Sequence, residues 1–152
     1  MKRLKLTLAI VISAALLSFA VFFTYNLVQG TNGKRMLPSL KQELSAVAIP
    51  DSDRVFKEYE LYKSTHALVG RALWSEARWD DLRQFYIAQL QTLGWKHVAS
   101  SNLKEWRKDV GSKAETFKKG NYTAELYYRG PSSRNDWTYT LDISRNVPLF
   151  RN

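Results

Sequence analysis

Hydrophobic and polar positions follow three patterns along this chain, and each predicts one kind of element. Residues 6–28 hold no charged side chain. At about 1.5 Å per helical residue, that run is long enough to cross a bilayer core of roughly 30 Å. Between residues 79 and 93 the period is helical. Leu82, Tyr86, Gln89, Leu90 and Leu93 recur at three- and four-residue steps, and Phe85 widens their stripe. Asp80 and Asp81 fall in the first turn of this helix, facing the positive end of its dipole. Gly94 suits the left-handed position past its end, with Trp95 folding back onto Leu90.

Beyond that helix the period falls to two, which predicts strands. Tyr122, Ala124, Leu126 and Tyr128 share one face of a strand, and Trp137, Tyr139, Leu141 and Ile143 share one face of another. Thr123, Glu125, Thr138, Thr140 and Asp142 point the other way. Residues 113–118 meet 122–128 across Lys119-Gly120-Asn121, a sequence with good hairpin chemistry. Residues 95–99 and 103–106 read as two short strands around the polar turn Ser100-Ser101-Asn102, and 129–136 read as a loop. Ahead of the helix, residues 66–74 form an apolar run of strand length with Gly70 inside. Residues 55–62 read as a strand, with a helix as the alternative. Such an alternation predicts an α+β domain, in which an antiparallel sheet is covered on one face by one long helix over about residues 78–93.

The N-terminal third divides into an anchor and a tether. Lys2, Arg3 and Lys5 flank the uncharged run and place the N-terminus inside, with the domain outside a cytoplasmic membrane. Ser18-Phe19-Ala20 is a candidate signal-peptide cleavage site, but the apolar run continues through Val21, Phe22, Phe23 and Leu27. An uncleaved signal-anchor helix over 6–28 is therefore the expectation. Gln29-Gly30-Thr31-Asn32-Gly33 has the composition of a flexible joint. A short helix opened by Pro38, with Leu40, Leu44 and Val47 on one side, would follow and end at Pro50 and Asp51-Ser52-Asp53. The organisation is thus 1–28 anchor, 29–53 tether and 54–152 extracytoplasmic domain.

Composition narrows the chemistry. With no cysteine, the chain has no disulfide, thiolate site or cysteine-attached lipid. Its formal charge is +9; beyond residue 28 it carries 20 bases against 14 acids. That moderate excess suits anionic lipid or a wall polymer better than nucleic acid, which calls for denser basic runs. His66 and His97 lie far apart with no carboxylate at ligand spacing, so no metal is expected. Glycine-rich phosphate loops are absent, so no cofactor is expected. Helix-start stabilisation accounts for Asp80 and Asp81, and Ser100-Ser101 and Ser132-Ser133 read as turns, so no catalytic residue is expected.

The five tryptophans are the one compositional feature with a functional reading. By pattern Trp95 and Trp137 belong to the core. Trp74, Trp79 and Trp106 are unassigned, and two of them exposed together would mark a contact surface. Lys118, Lys119 and Arg129, beside Tyr127 and Tyr128, make a basic edge able to attract anionic lipid or a wall polymer.

Phe85-Tyr86, Leu90 and Gly94-Trp95, followed by a Lys-Gly hairpin and a last strand ending Leu-Asp-Ile-Ser, resemble small membrane-anchored or lipoprotein-type extracytoplasmic domains of bacteria. The resemblance spans roughly residues 67–144 and implies one helix against an antiparallel sheet. Few such domains have an assigned activity, so it carries over no functional residue. Several hold a lipid-modified cysteine, which this chain lacks. The expected protein is single-pass in the cytoplasmic membrane and non-catalytic, an interaction or accessory module for another envelope protein or the membrane surface. A small-ligand or glycan-binding domain using exposed aromatics is the alternative, and an envelope hydrolase a distant third.

Overall fold

The computed structural model describes residues 2–63, 65–105, 108–129 and 136–146. Among them the chain forms two helices, α1 (Lys2–Ala46) and α2 (Trp79–Thr92). It also forms six strands: β1 (Arg54–Tyr62), β2 (His66–Trp74), β3 (Lys96–Glu105), β4 (Lys108–Lys119), β5 (Tyr122–Tyr128) and β6 (Tyr139–Asn146). The strands make one antiparallel sheet in the order β1-β2-β6-β5-β4-β3. The α+β class and the sheet covered on one face are as expected.

Two helices cover that face where one was expected. Six strands at about 4.8 Å spacing are roughly 24 Å across, and a helix with its side chains covers only about 10 Å. The second cover is the end of α1, whose Met36, Leu37, Leu40 and Leu44, with Val47 just beyond, are buried beside Trp79, Leu82, Tyr86 and Leu90 of α2. Against them the sheet sets Ala67, Val69, Leu73, Phe117, Ala124, Leu126, Tyr139, Leu141 and Ile143.

The flexible joint is likewise corrected. Helix α1 runs unbroken through Gln29-Gly30-Thr31-Asn32-Gly33 and holds Pro38 inside it, so this half of the tether belongs to the folded unit. Gly33 serves close packing: a Cβ there would lie 1.8 Å from the Lys63 carbonyl oxygen and 3.0 Å from that of His66. Only glycine lets α1 approach the β1–β2 connection so closely. Pro38 is tolerated because it is exposed, leaving water to solvate the carbonyl its missing N–H would have bonded. The helix ends at Ala46, ahead of the expected stop at Pro50 and Asp51-Ser52-Asp53, which forms a separate turn where the Asp53 N–H donates to Pro50 O at 2.9 Å.

Among the described residues no helix is long and apolar enough to cross a membrane. Within α1, side chains are described at 16–23 and from 32 onward, so most of the expected 6–28 span lies outside them.

The central helix stops as its sequence predicts. Gly94 has φ +85°, its N–H donates to Gln91 O at 3.0 Å, and the Trp95 N–H donates to Leu90 O at 2.9 Å. This pair of bonds is the Schellman arrangement, which satisfies carbonyls the helix leaves open. The β4–β5 hairpin turns at Gly120, φ +57°, also as expected.

Ser100-Ser101-Asn102, expected as a turn, lies within the continuous strand β3. Its polar composition reflects an edge position: Ser100 Oγ donates to the buried Glu115 carboxylate at 2.6 Å, and Ser101 and Asn102 are exposed. Trp137, expected in the core, precedes the start of β6 and is only half-buried, its ring centroid 6.5 Å from that of Tyr127 on the opposite face. Alternation binds a side chain to a face only inside the ladder.

Candidate binding cleft

The sheet face turned away from both helices carries the most concentrated chemistry among the described residues. Register places Tyr59, Gly70, Asp142, Glu125, Thr116 and Ala99 in one row across it, and Lys57, Ala72, Thr140, Tyr127, Ala114 and Ser101 in the next. In the first row Tyr59 donates its hydroxyl to Asp142 Oδ1 at 2.5 Å, across the strand that holds Gly70. A Cβ on Gly70 would stand 1.9 Å from that oxygen and 2.7 Å from the Tyr59 ring, so the glycine makes the space in which the pair meets.

Burial drives the electrostatics of this pair. It raises the Asp142 carboxyl to about 6, against hydrogen bonds from Tyr59 and Thr140 that favour the charged form, and the neighbouring Glu125 charge adds to the rise. Tyr59 is also held above its ordinary value, by burial first and then by Asp142. A carboxyl so poised changes charge near neutrality.

Lys57, Ala72, Thr140 and Tyr127 of the second row line a cleft of about 400 Å³. Ala72 and Thr140 are its low centre. Phe56, Lys57 and Tyr59 rise from β1 on one side, and Tyr127 with Trp137 on the other. Phe56 is the extra residue of a β-bulge between Val55 and Lys57, and it is 53% exposed. The bulge turns a large apolar ring outward at a sheet edge. Phe56 also lines an adjoining depression with Arg54, Val55, Trp74 and Asp136. The Arg54 guanidinium lies over the Trp74 ring at 4.6 Å, and that of Arg129 over Trp137 at 4.4 Å. These stacks give the aromatic groove a cationic rim.

The six residues expected at a contact surface are therefore divided. Trp74 and Arg129 stand at the cleft end of the sheet. Trp79 is in the core, its ring centroid 5.5 Å from that of Tyr128, because it opens α2 on the covered side. Lys119 is on the covered face, paired with Glu43 at 2.8 Å. Lys118 is exposed at the far end of β4, and Trp106 lies outside the described residues. Sequence reasoning missed Phe56, Tyr59 and Asp142, and named Tyr127 only as a neighbour of the basic edge. The available signal was Gly70, an isolated glycine in an apolar strand, which marks a close approach.

Two other polar clusters hold the fold together. Under α2, the buried Glu115 accepts from Arg83 Nε at 2.6 Å and Ser100 Oγ at 2.6 Å, and pairs with His97. Burial alone would raise its pKa, but the hydrogen bonds of Ser100, Arg83 and His97 with the Arg83 charge hold it below the ordinary value. In the second cluster Tyr139 donates to Asp53 Oδ2 at 2.6 Å, Ser75 donates to Asp53 Oδ1 at 2.6 Å, and Tyr86 lies 3.0 Å from the Tyr139 hydroxyl. Burial pushes Tyr86 up to about 12 and Tyr139 higher still. Among the described residues no group of three His, Asp or Glu side chains could hold a metal ion. The chain matches no protein-family profile, no curated protein and no solved structure.

Proposed function

We propose that this chain is a non-catalytic, membrane-anchored extracytoplasmic module that binds its ligand in the aromatic cleft of the helix-free face, and that a glycan is the ligand class the cleft fits best. The observation that carries the proposal is the cleft itself: Phe56, Tyr59, Tyr127 and Trp137 around a low floor of Ala72 and Thr140. Aromatic rings offer flat apolar faces to the C–H surfaces of a sugar ring. Lys57, Thr140 and Asp142 supply the few polar groups that fix orientation through hydroxyls. Within this reading Asp142 serves to orient the ligand, its two oxygens held by hydrogen bonds from Tyr59 and Thr140.

Anchoring is supported by α1. Leu16, Leu17, Phe19, Val21, Phe22 and Phe23 are each more than half exposed, and at 100° per residue they point all round the helix. A helix apolar on every side belongs in a hydrophobic surrounding. α1 enters the domain where Gly33 meets Lys63 and His66, while Phe56 stands six residues up β1 from Tyr62, about 20 Å away. The cleft is thereby held away from the lipid and toward the envelope.

The test is a fluorescence titration of the full chain in micelles with soluble wall-glycan fragments, beside Phe56→Ala and Tyr127→Ala variants. Saturable change in tryptophan emission, lost in both variants while folding is kept, is the expected result. Absence of binding to any fragment defeats the glycan assignment. If cross-linking in native membranes then recovers a protein partner lost in Phe56→Ala, the cleft is a protein-docking site instead.

A further inference from the structure

A second surface lies at the opposite end of the sheet. Register aligns Leu61, Leu68, Ser144, Thr123, Lys118 and Lys96 in one row, and Tyr62, Ala67, Arg145, Tyr122 and Lys119 in the row beyond. This is the end at which α1 arrives, because Gly33 packs on Lys63 and His66. Its charge is one-sided. Lys34, Arg35, Lys63, Lys96 and Lys118 are exposed and Arg145 is half-buried, and none of the six has a carboxylate partner among the described residues. Of the acids around it, Glu60 and Glu43 are paired with Lys41 at 2.5 Å and Lys119 at 2.8 Å, while Glu125 and Asp142 stand in the next outer-facing row away from this end. Exposed Leu61 and Tyr62 stand beside the cations.

We propose that this end of the domain docks flat on the anionic headgroup surface of the bilayer that holds α1. The proposal rests on the anchor described above but not on the cleft or its ligand. Helix continuity supplies the geometry. The uncharged run ends at residue 28, and Lys34 and Arg35 follow on the same unbroken helix about 9–11 Å further on, within or just beyond a headgroup layer several ångströms thick. A rigid helix thus delivers the Lys63, Lys118 and Arg145 end to the lipid instead of letting the domain tumble on a tether. Each cation close to an anionic surface favours contact, and together with an apolar Leu61 and an interfacial Tyr62 they form the mixed basic and amphipathic face that headgroups attract. A wall polymer would meet the same charge, but it would not be positioned by the helix.

Because the chain has no cysteine, Asn121→Cys at the tip of the β4–β5 hairpin introduces a unique thiol for a fluorophore. The labelled full chain is reconstituted in vesicles of phosphatidylcholine alone or with phosphatidylglycerol, each with a nitroxide quencher on a fraction of the headgroups. The expected result is strong quenching in the anionic vesicles only, falling to the phosphatidylcholine level in a Lys63→Glu, Lys96→Glu, Lys118→Glu variant and at high salt. All three are exposed lysines, so the variant keeps the fold, checked by circular dichroism. Flotation separates the failures. Protein that floats with the vesicles but shows quenching indifferent to lipid charge or to the variant overturns the docking alone. Protein that does not float overturns the anchor, and the docking with it.

Discussion

Replacing Asp142 with asparagine removes a charge that the fold holds at a loss. The carboxyl is raised from its ordinary value of 3.8 to about 6, with burial as the main cause. The sign follows from proton binding. An acid whose folded value lies above its unfolded value binds its proton more tightly in the folded state, so stability is greatest below about pH 4. It declines as the pH rises through about 6, and above that the full cost of burying the carboxylate is present. At 1.36 kcal/mol per pH unit, the interval from 3.8 to about 6 sets that cost at about 3 kcal/mol. Asp142 keeps part of its surface in water, which brings the expectation to about 1–3 kcal/mol.

Asparagine keeps an acceptor for the Tyr59 hydroxyl while carrying no charge. Asp142→Asn is therefore expected to be more stable than wild type at about pH 8 by about 1–3 kcal/mol, with the two converging at about pH 4. The assay is urea unfolding of the full chain in non-ionic micelles, followed by tryptophan fluorescence across this pH range. A midpoint that moves without a change of slope reports stability alone. The difference between the two curves isolates Asp142, because Glu115 titrates in the same acid region in both proteins. Curves that run parallel from about pH 4 to 8, or a variant less stable than wild type at about pH 8, would refute the placement of a buried carboxyl beside Tyr59.

Gly33→Ala forces a Cβ to 1.8 Å from a main-chain oxygen that cannot rotate away, so α1 must separate from the β1–β2 connection; a loss of about 1–3 kcal/mol is expected in the same unfolding assay. Gly70→Ala intrudes between Tyr59 and Asp142, and beyond its cost in stability it should flatten the pH dependence that Asp142 confers, read by comparing unfolding midpoints at two pH values. Tyr139→Phe leaves Asp53 Oδ2 without the donor of its 2.6 Å bond and should cost about 1–3 kcal/mol, measured by urea titration. Glu115→Gln weakens the Arg83 and His97 contacts under α2. The Glu115 value is depressed, so its contribution is present above the ordinary carboxylate range and is lost as the pH falls through its folded value; the variant should show less acid destabilisation than wild type.

Where the hydrophobic period was strong, the elements were legible. The stripe of α2 and its Gly94 stop, the β4–β5 hairpin and the alternation of β5 and β6 all follow from residue order. Edges were not legible, for a physical reason. β3 is an outer strand whose exposed positions need no apolar residue, so Ser100-Ser101-Asn102 has the composition of a turn although the ladder runs through it. Gly33 has the composition of a joint for a related reason: propensity records what glycine permits, and a neighbour that needs its missing Cβ decides otherwise.

The candidate site was harder to read, because alternation assigns side chains to two faces without saying which features will converge on either. Trp79 looked unassigned and is core, while Trp137 looked like core and lines the cleft; each stands at the margin of a regular element, where the pattern no longer fixes direction. Gly70 and Gly33 are the positions at which the chain reveals the most. Each breaks the local propensity of its element, and each does so where another group must come closer than a Cβ allows: the Tyr59–Asp142 pair at one, the β1–β2 connection at the other. The first opens the floor beside which the aromatic groove forms. The second fixes α1 to the sheet and sets which end of the domain faces the helix's apolar run. The orientation of the cleft relative to α1 thus depends on Gly33, a residue more than 20 positions in sequence from any that lines it.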